Sequence, residues 1–152
     1  MNASTAHLNL LLAWLWILLG FVSGLFLGMF FHRENWLGGY GSFRRRLYRL
    51  AHISFFGLGA VNLLFWLTLH DGLIGGGWVP VASWAFIVGA LTMPACCVVL
   101  AHFPRVHLIF SVPVLCLLTG GLITVLLLAG KAAAPAASPT STSNLNLEMR
   151  GQ

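Results

Sequence analysis

Six histidines, His7, His32, His52, His70, His102 and His107, are the side chains of this sequence best suited to chemistry. Neutral imidazole is a strong iron or copper ligand and brings no charge into an apolar site. Their spacing is ordered. His52 and His70 lie 18 residues apart, a whole number of helical turns at about 100° per residue. They therefore share one helix face, with Phe56, Gly59, Leu63 and Trp66 on or near it. His7 and His32 fall about 20° from alignment on a second helix. Two imidazoles on facing helices can clamp a b-type haem at both axial positions, and Gly59 would leave room for the flat macrocycle. Iron held in that way has no free coordination position, so its natural task is electron transfer. The spacing predicts an inner ligand pair, His52 with His102, for which His107 and His32 are substitutes. It predicts an outer pair, His7 with His70. These four residues are the expected metal ligands, and haem b is the expected cofactor.

Other chemistry is less well supplied. Soft sulfur with imidazole suits Cu(I), and Met29 precedes His32 while Met93 precedes Cys96 and Cys97. Met93 and Cys97, however, lie deeper in their apolar run than any histidine of that run. The three cysteines, Cys96, Cys97 and Cys116, form no CxxC pair and read as small apolar packers. His70 beside Asp71 offers one proton-exchanging pair. No Gly-rich phosphate loop or hydrolase motif occurs. Histidine is also at home at the headgroup level of a membrane without any ligand.

The histidines gain meaning from the elements that carry them. Of 152 residues, 59% are hydrophobic and 7% are charged, with three acidic side chains, Glu34, Asp71 and Glu148. So few charges cannot cover a water-soluble domain. This composition excludes a soluble enzyme, a disordered chain and a disulfide scaffold. A membrane helix needs about 20 apolar residues to cross a hydrocarbon core of about 30 Å. Four runs qualify: 8–31, 51–69, 81–101 and 106–128. None contains Asp, Glu, Lys or Arg. The expected fold is an all-α integral membrane protein, an up-down four-helix transmembrane bundle over residues 1–129. An Ala/Pro/Ser/Thr-rich tail follows over 130–152. All six histidines then fall at span ends.

The connections set the direction. Arg33, Arg44, Arg45, Arg46 and Arg49 belong to the first loop and Arg105 to the third, a tight turn at 102–105. The opposite side carries Lys131 and Arg150. The positive-inside rule puts loops one and three in the cytoplasm and both termini outside. The localisation that follows is a bacterial inner membrane. The arginine cluster reads as an anchor facing anionic lipid, not as a nucleic-acid surface. Residues 1–7 lack the basic stretch of a signal peptide, so the first span reads as retained.

Within the spans, Gly20, Gly24 and Gly28 repeat the small-xxx-small spacing of close helix packing. Pro94 and Pro113 should bend spans three and four. Trp36, Trp66 and Trp78 fit an interfacial belt. Asn62, the one strongly polar side chain in mid-span, should hydrogen-bond a neighbouring helix. Two functions follow. The first is a small subunit of a respiratory-type electron-transfer assembly that holds haem. The second is a cofactor-free accessory or scaffold subunit, packing against other membrane subunits through Gly20, Gly24 and Gly28. In both, the lipid bilayer is the surrounding partner.

Overall fold

The computed structural model of the chain describes residues 3–133. Four long helices dominate: α1 (Ala3–Phe31), α2 (Phe43–His70), α3 (Val79–His102) and α4 (Ser111–Ala133). Short 3-10 helices cover Trp36–Gly38 and Pro104–Phe110, and there is no strand among the described residues. All four helices are long and apolar enough to cross a membrane, the fourth counted together with its 3-10 lead-in. The tail expected from residue 130 lies outside the described residues beyond Ala133.

Helix ends follow local chemistry, and here three expectations change. The arginine cluster is not loop: Arg44, Arg45, Arg46 and Arg49 lie in the first two turns of α2. Ser42 starts that helix in an extended conformation, and its hydroxyl accepts from the Arg45 amide at 3.2 Å. Hydropathy marks where apolar side chains begin, whereas the cap marks where helical backbone begins. The tight turn expected at 102–105 is instead the end of α3 followed by seven residues of 3-10 helix, kinked at Val106. His107 therefore sits in that segment and does not open α4. Pro113 falls in the first turn of α4, where a missing N–H costs no helical bond, so the reason to expect a bend there is removed. Pro94 does lie inside α3.

Each helix packs on the next one in the chain, and α1 also touches α3. Three apolar clusters hold them. Phe65 of α2 meets Val79, Ala82 and Phe86 of α3, with Leu117, Ile123 and Leu127 of α4 against them. Trp16 joins Leu58 and Ala90 near the middle. Leu47 meets Cys96, Leu100 and Ala101 at the other end. Half of the apolar stretch of α3 is buried, against 17% for α1 and 11% for α4, so α3 is central and α1 and α4 are flanking helices.

Candidate functional site

The glycine and histidine stripes of α1 and α2 meet each other. A Cβ at Gly20 would lie 2.8 Å from the Phe56 ring, and one at Gly24 would lie 2.8 Å from His52 Cε1. These two glycines are therefore the sockets into which α2 sets its rings. Gly28 meets nothing within 4 Å. From the α2 side, a Cβ at Gly59 would come within 3.1 Å of both the Ala13 carbonyl oxygen and Ile17. The space expected beside Gly59 for a macrocycle is thus filled by α1, which overturns that part of the sequence reading. Removal of side-chain volume lets two backbones approach, and the approaching backbone is what occupies the gap.

His52 is held in this contact. Its Nδ1 lies 2.9 Å from Ser23 Oγ, and Ser23 Oγ donates to the Gly20 carbonyl at 3.0 Å. A hydroxyl has one proton, so while it serves Gly20 the imidazole is the donor to Ser23. Phe56 stands edge-on to the His52 ring at 5.4 Å. His102 is elsewhere: exposed, its Nδ1 3.0 Å from its own Val98 carbonyl, and edge-on to Tyr48 at 6.3 Å. No hydrogen bond or ring contact brings His52 and His102 together. His70 is exposed and stacked on Trp66, with centroids 4.9 Å apart and planes 15° apart. His7, His32 and His107 are exposed. Among the described residues there is no group of three or more His, Cys, Asp or Glu side chains placed to hold a metal ion. Cys96 and Cys97 are buried, Cys96 against Leu47 and Leu100, in keeping with small apolar packers.

Buried polar chemistry gathers in three other places. Asn9, Asn62 and Ser83, one each from α1, α2 and α3, are all fully buried. Asn9 Nδ2 donates to Asn62 Oδ1 at 2.9 Å, Ser83 Oγ donates to Asn9 Oδ1, and Asn62 Nδ2 donates to the Leu58 carbonyl at 2.9 Å. Asn62 does bond a neighbouring helix as expected. Asn9 and Ser83 escaped the sequence reading because they stand near span ends, where polar side chains are ordinary. The second place is Pro94. Lacking an N–H, it cannot serve the Ala90 carbonyl one turn earlier. The indole N–H of Trp16, a buried residue of α1, donates to that oxygen at 3.1 Å.

At the opposite end of α1 stands Arg45, 1% exposed. Its Nη2 donates to the Phe31 carbonyl at 2.7 Å, and Tyr40 Oη donates to the same oxygen at 3.0 Å. Its Cζ lies 3.8 Å from the Tyr40 ring centroid, 5.1 Å from Phe31 and 5.8 Å from Trp36. Nη1 is buried without a hydrogen-bond partner. The cation is placed against the negative end of the α1 dipole and is enclosed by aromatic faces.

No family model matches the chain, and neither a curated protein nor a solved structure matches it.

Proposed function

We propose that the chain is an integral membrane protein crossing a bacterial cytoplasmic membrane four times in up-down order, with both termini outside, and that it works by association as an accessory subunit of a membrane complex. The carrying observation is how its interior polar groups are used. Asn9, Asn62, Ser83, Trp16, Ser23 and His52 all bond within the chain, tying α1 to α2 and α3. Groups consumed in this way support a rigid scaffold over a transport path, which would need polar groups turned to a cavity. Up-down order is supported by the pairing of Asn9, early in α1, with Asn62, late in α2, and by Leu47, early in α2, against Leu100, late in α3. Gly20 and Gly24 are already filled by α2, so a partner subunit is expected on the flanking faces of α1 and α4. These expose Leu11, Leu18 and Leu25, and Leu118, Leu122 and Val125.

A second reading, a haem b carrier in an electron-transfer assembly, keeps one supporting observation. His7 and His70 are both exposed, at helix ends that the Asn9–Asn62 bond draws together. Purification in mild detergent after expression with ample haem separates the two. The scaffold reading expects no sharp reduced-minus-oxidised band and migration in a native gel as part of a larger assembly. A sharp band that His70→Ala removes would replace it with the electron-transfer reading. Migration as a lone monomer without haem would overturn both.

A further inference from the structure

Two grooves open side by side where α2 begins and α3 ends. One, of about 460 Å³, is lined by Leu37, Gly38, Ser42, Phe43, Arg44, Ala101 and Pro104. The other, of about 600 Å³, is lined by Val99, His102, Phe103, Pro104, Arg105 and Val106. They share Pro104, and each carries one exposed arginine over a largely apolar floor. Ser42, in the lining of the first groove, caps α2 there by accepting from the Arg45 amide. Among the described residues at this end, the one acidic side chain is Glu34, against Arg33, Arg44, Arg45, Arg46, Arg49 and Arg105.

We propose that the two grooves together bind the headgroup of a phospholipid carrying two phosphates, one phosphate at Arg44 and the other at Arg105, with the acyl chains leaving over Phe103 and Val106. The inference rests on the four-span reading, which puts this end at a membrane surface. Charge complementarity selects an anionic occupant, because two guanidiniums face it without carboxylates between them. The apolar floor selects a lipid over a free phosphate. Paired grooves, each with one cation, select two phosphates over one. Basic pockets between helices on the cytoplasmic side of a membrane suit such headgroups.

The test is native mass spectrometry of full-length protein extracted in mild detergent and offered diphosphatidylglycerol, phosphatidylglycerol, phosphatidylcholine or inorganic phosphate. Preferential retention of diphosphatidylglycerol is expected. Arg44→Gln and Arg105→Gln should each lower retention about fivefold, whereas Arg49→Gln, outside both grooves, should leave it unchanged. Monodisperse elution of each variant establishes that it is folded. Equal retention of phosphatidylglycerol, equal loss in Arg49→Gln, retention of inorganic phosphate, or full retention in the Arg44/Arg105 double variant would overturn the inference. Selective failure in a membrane-embedded protein overturns this inference alone. Absence of the chain from the membrane fraction would overturn the four-span reading with it.

Discussion

A proline inside a helix leaves one carbonyl without a donor, and in an apolar interior no water can replace it. Here Trp16 supplies the missing N–H to Ala90 from a different helix. The tryptophan thus repairs α3 and at the same time fixes how α1 lies on it. Trp16→Phe keeps most of the ring but leaves the oxygen unpaired, which should cost about 1–3 kcal/mol. Pro94→Ala restores an N–H within α3. In a Pro94→Ala background, Trp16→Phe should therefore cost at least about 1 kcal/mol less. Reversible unfolding in detergent measures both, and strictly additive costs would show that the bond has no such role. The asparagine pair behaves differently, since each amide still finds other partners after the loss of one bond. Double-mutant cycles on Asn9 and Asn62 should give a coupling of about 0.6–2 kcal/mol.

Between elements, contact is governed by which glycines are filled. Gly24→Leu would drive a side chain into the His52 imidazole, already 2.8 Å from where a Cβ would stand. The expected cost is about 1–3 kcal/mol in thermal unfolding. Gly28→Leu, with open space around it, should be close to neutral, and an equal effect of the two would contradict the α1–α2 register. Arg45 is the other hinge of this pair of helices. Arg45→Lys keeps the charge but loses the planar stack on Tyr40 and the reach to the Phe31 carbonyl. Hydrogen exchange of the amides over 32–42 should accelerate about tenfold, as loss of about 1–2 kcal/mol implies. Unchanged exchange would mean that the aromatic enclosure does not hold the connection. These contacts explain what was and was not legible in the sequence. The 3.6-residue periodicity put His52, Phe56 and Gly59 on one face, and they do share it. Periodicity says nothing about what that face meets. A stripe of rings and gaps reads alike whether a cofactor or a glycine-bearing helix fills it.

Across the whole molecule, the four long apolar helices were legible because length and hydropathy are local properties. The Asn9–Asn62–Ser83 contact was not, because it joins residues 53 and 74 positions apart through packing alone. The same contacts bear on direction. The C-terminal end of α4 meets the α2–α3 connection, where the Lys131 ammonium donates to the Gly72 carbonyl. The arginines of α2 and Arg105 gather at the other end. Charge asymmetry of this kind orients a membrane chain, since basic residues resist export from the cytoplasm. A reporter inserted among Gly75, Gly76 and Gly77, all exposed with open space around them, should read external. One placed at Gly41, also exposed, should read cytoplasmic. Replacing Arg44, Arg46 and Arg49 with Glu removes most of the asymmetry while sparing the buried Arg45. It should give mixed or inverted reporter signals, without loss of the helices by circular dichroism. Cytoplasmic readings at Gly75–Gly77 in the unaltered chain would reverse the orientation. His7 and His70 would then face the reducing side, and the two arginine grooves would open to the outer leaflet.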